Sequence, residues 1–323
     1  MRTPQRLSAI AIAVVTAAAA ALAGCSSASN STAAATSALA PAPPTPTTSL
    51  IPHWPLTVAA ANGRVTIKDL PRRIVSLDPT ATEDLYAVGA GTQVVAVDQY
   101  SDFPPGAPVT SLSGTDPNIG AITKYKPSLV ISQNDPRLLR ALRKLGIPVL
   151  IEPEVSSLRG AYQEIDQIGQ ATGHAYQAGE TAAIMRQEIT KIAAQAGTKY
   201  RGLTYYWETS SNPYDSATSA TLIGHIMDMF GLRNIADGAG SIHPRLSRAY
   251  IAAHGPQIIF LADTSATDGQ TPAMVAARAG WADIPAVRDH DIFALNADIA
   301  SRWGPRLPQL VEEIASALAS FNS

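Results

Sequence analysis

The sequence predicts an α/β chain built as two lobes joined by a single long α-helix. Three observations carry that expectation. Apolar strand-like runs alternate with amphipathic helical runs at βαβ spacing from residue 64 to residue 155. The same alternation restarts after residue 202. Between the two lies an uninterrupted helical pattern over residues 174–197, with Ala178, Ala182, Met185, Ile189 and Ile192 on one face. At 1.5 Å per residue that helix is roughly 35 Å long, the width of a small domain.

Two segments precede the lobes. Arg2 and Arg6 open the chain, an apolar run follows from Ala9 to Leu22, and small residues lead to Cys25, the one cysteine among 323 residues. This layout predicts a cleaved signal over residues 1–24, the competing reading being an anchoring helix with an incidental thiol. Leu22-Ala23-Gly24-Cys25 resembles the bacterial lipobox, which implies a lipid on the Cys25 sulfur and an extracytoplasmic body anchored to the cell membrane. Residues 25–54 are almost wholly Ser, Ala, Thr and Pro and read as a flexible linker. Without Arg2 and Arg6, 22 basic face 26 acidic side chains, a net charge of −4. No long basic run occurs, which argues against a nucleic-acid partner.

The first lobe is expected over residues 55–173. In "LTVAAANGRVTI" two alternating runs flank Asn62-Gly63, a hairpin signal because both residues tolerate positive φ. "RRIVSLDP" is a buried strand, and "TATEDLYAVGAG" a helix capped by Thr80 or Thr82 and ended by Gly89 or Gly91. "QVVAVDQY", "SLVISQ" and "PVLIEPE" are further strands, separated by helices in "NIGAITKYKP" and "RLLRALRKLGI". A helix then runs to Gly173, its stop.

After the connecting helix, the second lobe is expected over residues 198–323. "GLTYYWE", "QIIFLAD" and "DIFALN" are its strands. "ATLIGHIMDMFGL", "RLSRAYIAAHGP", "TPAMVAARAGWADIPAV" and the closing "PRLPQLVEEIASALASF" are its helices.

Several words occur in order: "PRRIVSLDPTATEDLYAVGAG", "VVAVDQYSDFPPGAP", "KPSLVIS", "FGLRNIAD", "PQIIFLAD" and "SRWGPRLPQLVEEIASAL". Together they resemble the class III periplasmic binding proteins of ABC importers, which take up iron–siderophore complexes, haem or vitamin B12. "YSDFPPGAP" is closest to the B12-binding branch. The resemblance implies two Rossmann-like lobes on a rigid helix and a bound ferric chelate, haem or corrinoid, with no intrinsic cofactor. It further implies an ABC permease with a cytoplasmic ATPase as partner, and a monomer.

Ligand sites in such folds lie in loops at the C-terminal ends of parallel strands. The candidates there are Asp78, Thr80, Tyr100, Asp102, Phe103, Gln133 and Asn134 in the first lobe. In the second they are Trp207, Glu208, Asn212, Tyr214, Asp298, Arg302 and Trp303. The resemblance aligns Tyr100, Tyr214, His243 and Asp298 with ligand-contacting positions of B12-binding relatives. Those relatives carry Trp where His243 stands, and an imidazole offers a hydrogen bond or a metal ligand in place of stacking area. Two first-lobe aromatics of the family are replaced by Gly114 and Gln133, so a more polar cleft is expected. The surface Glu residues with which the family engages its permease are replaced by Gly120 and Ala249. Arg306 reads as structural.

No Gly-x-Ser-x-Gly turn and no phosphate loop occurs, so no enzyme is expected. The expected function is capture of a large chelate or corrinoid for delivery to a permease. A cell-envelope lipoprotein that uses the same body for protein interaction, without cargo, is the alternative left open.

Overall fold

β-Branched runs punctuated by Gly, Pro and Asp set the strands of this protein, and a computed structural model describes residues 52–321 except 134, 154 and 266–268. Cys25, the expected signal over residues 1–24, the linker as far as residue 51, and Asn134 lie outside the described residues.

The first lobe runs β1 (Leu56–Ala60), β2 (Gly63–Ile67), β3 (Ile74–Ser76), α1 (Pro79–Ala87), β4 (Val94–Asp98), β5 (Val109–Leu112), α2 (Ile119–Thr123), β6 (Leu129–Ser132), α3 (Pro136–Lys144), β7 (Val149–Ile151) and α4 (Leu158–Thr172). Strands β3 to β7 form a parallel sheet in the order β5-β4-β3-β6-β7. Its topological switch point falls between β3 and β6, where a doubly wound sheet leaves a crevice at its C-terminal edge. Both faces are covered. Ile74, Leu129 and Ile131 pack towards α1 and α4, while Val75, Ala96 and Val130 pack towards α2 and α3. Each fully buried Val, Leu or Ile among them contributes about 1.5–3 kcal/mol.

The hairpin β1–β2 forms as expected, and Gly63 takes a left-handed φ of 97°. Asn62 acts by its side chain. Its amide donates to the Val149 carbonyl at 2.9 Å, and its Oδ1 accepts from the Ile151 amide at 3.2 Å. The turn thereby covers the edge of β7, which would otherwise present unpaired backbone groups.

Helix α1 is capped by neither Thr80 nor Thr82. Asp78 does so, its Oδ1 accepting from the Thr80 amide at 2.8 Å and the Ala81 amide at 3.2 Å. Thr82 is buried and spends its hydroxyl on the Asp78 carbonyl at 2.9 Å. Gly173 ends α4 with φ 83°, as the sequence predicts.

The connecting helix is α5 (Ala175–Ala196), 22 residues long and about 33 Å from end to end. It crosses α4 so closely that a Cβ on Gly169 would lie 2.3 Å from the Cβ of Ala178. Only glycine permits that approach.

The second lobe runs β8 (Thr204–Glu208), β9 (Ser210–Ser211), β10 (Tyr214–Asp215), α6 (Leu222–Met229), β11 (Arg233–Asn234), β12 (Arg245–Leu246), α7 (Arg248–His254), β13 (Ile258–Leu261), α8 (Pro272–Ala276), α9 (Pro285–Arg288), β14 (Ile292–Ala294), α10 (Ala297–Ala300) and α11 (Leu307–Ala319). Its parallel sheet has the order β11-β8-β13-β14. A small antiparallel sheet, β12-β10-β9, is added beside it. The long helix expected over "TPAMVAARAGWADIPAV" is two short ones. Gly280, at φ 79°, and Pro285 separate them. Helix α11 packs along α5, so the second lobe's last helix shares the first lobe's core.

Candidate functional site

A cavity of about 470 Å³ lies between the lobes. Its first-lobe wall is set by the ends of three adjacent strands. Asp78 follows β3, Gln133 follows β6, and Glu152 follows β7, with Glu164 rising from α4 beside them. Its second-lobe wall contains Thr221 and Leu222 at the start of α6, then His243 and Trp303. Trp303 is the sole aromatic side chain among these lining residues.

Of the predicted ligand residues, Gln133, His243 and Trp303 line the cavity. Asp78 and Thr80, also predicted from their strand-end position, line it too.

Three others converge beside it on the guanidinium of a fourth. Arg302 is 8% exposed. It donates to Asp102 Oδ1 at 3.0 Å, to the Tyr100 carbonyl at 2.9 Å and to Asp298 Oδ1 at 3.4 Å. These contacts tie the loop after β4 to the segment after α10, so they bridge the lobes. The Tyr100 ring itself is 58% exposed. Phe103 lies beneath Arg306, 4.1 Å from the guanidinium carbon to the ring centre. Arg306 is structural, as expected, but its partner is Glu83 on α1.

Trp207, Tyr214 and Glu208 belong elsewhere, the last fully buried and paired with Arg278. Trp207, expected at a strand end, is 1% exposed within β8 and packs on Phe260 at 6.1 Å between ring centres. It is a core residue. Tyr214 is held in β10 by pairing with Leu246, and its ring leans on Trp281 at 5.6 Å beneath Arg278. The loop after β8 folds back into the small antiparallel sheet, which takes Tyr214 away from the cavity. Gly114 has a backbone reason to be glycine: a Cβ there would lie 2.2 Å from the Leu77 carbonyl oxygen. An aromatic at that position is sterically excluded in this backbone.

Sequence reasoning missed the acids. Glu152 is 7% exposed and Asp84 is fully buried, and among the described residues neither carboxylate has a hydrogen-bond partner on either oxygen. Burial pushes Glu152 well above the usual carboxylate range, helped by repulsion from Glu164 and Asp78. Glu164 is pushed up to about 8, again by burial first and then by Asp78. Asp84 moves the same way through burial, then through Glu164, Glu152, Glu83 and Asp78. A signal for one of them was present. "IVSLDP" and "VLIEPE" both place an acid between an apolar strand and a proline, and Asp78 and Glu152 leave the sheet on either side of β6.

Among the described residues no three His, Cys, Asp or Glu side chains are grouped so as to hold a metal ion, and no helix is long and apolar enough to cross a membrane. Gly120 in α2 and Ala249 in α7 are both exposed at the surface.

Residues 74–299 match the periplasmic binding protein family. The uncharacterized ABC transporter substrate-binding lipoprotein YvrC of Bacillus subtilis (strain 168) is 29% identical over 276 residues, covering 82% of this chain and 86% of its own. The crystal structure of the periplasmic vitamin B12 binding protein BtuF of Vibrio cholerae superposes with a TM-score of 0.64 at 27% identity, covering 77% of this chain and 97% of that one. The apo form of the periplasmic heme-binding protein RhuT from Roseiflexus sp. RS-1 gives 0.67 at 25%, covering 76% and 97%. These neighbours share the two-lobed class III architecture.

Proposed function

This chain belongs to the periplasmic binding protein family, whose members are solute carriers and not enzymes, and from that premise we propose that it captures a ferric chelate between its lobes and delivers it to an ABC permease. The observation that carries the choice of cargo is the scarcity of large aromatic side chains in the inter-lobe cavity. At about 470 Å³ it has the size of a small-molecule site. Its walls mix polar Asp78, Thr80, Gln133, Thr221 and His243 with apolar Val155, Leu222 and Ile242, and Trp303 alone offers a broad flat face. A haem or a corrinoid presents broad apolar faces that aromatic walls would grip. A chelate with an amide- and hydroxyl-rich rim suits this lining better. Delivery, rather than a cargo-free role in protein interaction, is supported by the substrate-binding relatives.

In this reading the protein is a monomer, tethered outside the membrane by lipid on Cys25. The lipobox-like sequence supports the tether, and YvrC bears the name of a lipoprotein. Docking to the permease would use surfaces near Gly120 and Ala249 without the family's glutamates.

The full chain, purified in detergent, is titrated with a ferric trihydroxamate, haemin and cyanocobalamin while tryptophan fluorescence is followed. Saturable binding of the trihydroxamate alone, or far more tightly than the others, is expected. A preference for haemin or cyanocobalamin would replace the cargo, and saturable binding of none would overturn the carrier reading.

A further inference from the structure

We infer that the first-lobe end of the cleft is a cation pocket, in which Glu152, backed by Glu164, receives an organic ammonium or amidinium group of the cargo. The inference rests on the carrier reading above and names the charge that its cargo carries.

Geometry brings the acids together from separate parts of the chain. Glu152 leaves the end of β7, Glu164 stands on α4, Asp78 caps α1, and Asp84 lies nearly two turns further along α1. Three of the four, Glu152, Glu164 and Asp78, line the cavity. Asp78 is satisfied by backbone amides of α1. The nearby Glu83 is engaged by Arg306 and Arg302. Among the described residues no such partner serves Glu152: both of its oxygens are buried and bare of hydrogen bonds, on a residue that lines the cavity. The one titratable group on the facing wall is His243.

A buried carboxylate with no partner is among the costliest arrangements in a folded protein. Two remedies exist: hold a proton, or acquire a cation. The ligand-free cleft takes the first, since burial raises Glu152 and Glu164 towards the protonated form. A cargo ammonium supplies the second and donates charge-assisted hydrogen bonds to the freed oxygens. Binding is then an exchange: the acid's O–H bond breaks, the proton leaves to solvent, and N–H donors replace it. Affinity for a cationic cargo therefore rises with pH. The described residues hold no metal-binding group of three ligands, which favours an organic cation over a bare metal ion.

The probes are ferrioxamine B, a ferric trihydroxamate with a pendant ammonium, and its N-acetyl derivative, which differs only by a neutral amide there. With the full chain at about pH 8, ferrioxamine B is expected to bind at least about tenfold more tightly than the acetylated form. The gap should narrow near pH 5.5, and titrations in phosphate and Tris should show proton release. Glu152→Gln, or Glu164→Gln if the first variant folds poorly, should abolish the gap while retaining the acetylated ligand.

Equal binding of the pair overturns the cation pocket and leaves the carrier reading intact. So does binding of haemin or cyanocobalamin that ignores Glu152→Gln. If no cargo binds, the carrier reading fails, and the pocket is decided by n-butylammonium against n-butanol in a thermal-shift assay. Stabilisation by the amine in the wild type but not in Glu152→Gln supports the pocket; no such difference overturns it.

Discussion

Arg306 and Glu83 form a fork-to-fork pair across the two lobes, with Nε 2.8 Å from one carboxylate oxygen and an Nη 2.5 Å from the other. Both side chains are nearly withdrawn from solvent, at 11% and 1% exposure. Two hundred and twenty-three positions separate them in sequence, so the contact exists only when the halves are in place. Removing Arg306 leaves the buried Glu83 carboxylate with only the 3.4 Å contact from Arg302. Arg306→Ala should lower unfolding free energy by about 3–5 kcal/mol in urea titrations. A loss under about 1 kcal/mol would mean that the pair behaves as an exposed one.

The two tryptophans found at the cleft and in the sheet make separable reporters. Trp303 lines the cavity, while Trp207 is enclosed by β8 and Phe260. Trp303→Phe should erase most of the ligand-induced fluorescence change and leave the melting temperature nearly untouched. Trp207→Phe should keep that ligand response and lower stability by roughly 1–3 kcal/mol through lost packing. An unchanged ligand signal in Trp303→Phe would remove it from the site.

Stability should fall as pH rises, against the habit of most acidic residues. Below the ordinary carboxylate range, Asp84, Glu152 and Glu164 are protonated whether the chain is folded or not. On raising the pH, the unfolded chain releases these protons first, from about 4.5 for a glutamate, while folded Glu164 keeps its own up to about 8. The folded state thus binds more protons across that window, so the stability these groups contribute is complete below it and lost through it. Melting temperatures recorded from about pH 5 to about pH 9 should decline, and Glu164→Gln should flatten the decline. An identical slope in the variant would show that Glu164 is ionised throughout.

Gly114 offers a steric test. A methyl group there meets the Leu77 carbonyl at 2.2 Å and Asp98 Oδ2 at 3.0 Å. Backbone must shift to admit it, so Gly114→Ala should cost about 1–3 kcal/mol or more. A neutral effect in chemical denaturation would show that this loop relaxes freely, and an aromatic wall would again be possible there.

The sequence carried the fold further than the site. Alternation of apolar strands and helices is a local property, and it placed β3, β4, β6, β7, β8, β13 and β14 with little displacement. Cap identity was misread: Asp ranks above Thr as an N-cap and Pro79 suits the first helical position, so Asp78 was the better reading than Thr80 or Thr82. Strand-end logic found Gln133, Asp78 and Trp303, since those loops lead straight into the crevice. It failed for Trp207 and Tyr214. The strand there extends to Glu208, and the following loop is recruited into a second small sheet by β12, some thirty residues away. The acids failed for another reason. Asp84 and Glu164 sit at helical positions where a charged residue normally reads as solvent-facing, and their burial depends on packing between α1, α4 and the loop around Gly304.

Helix α11 lying along α5 has a mechanical corollary. The bridge between the halves is a two-ply splint: bending it would have to shear one rod past the other through a shared apolar seam. Spontaneous gaping is thereby resisted, because parting the halves would have to break that seam.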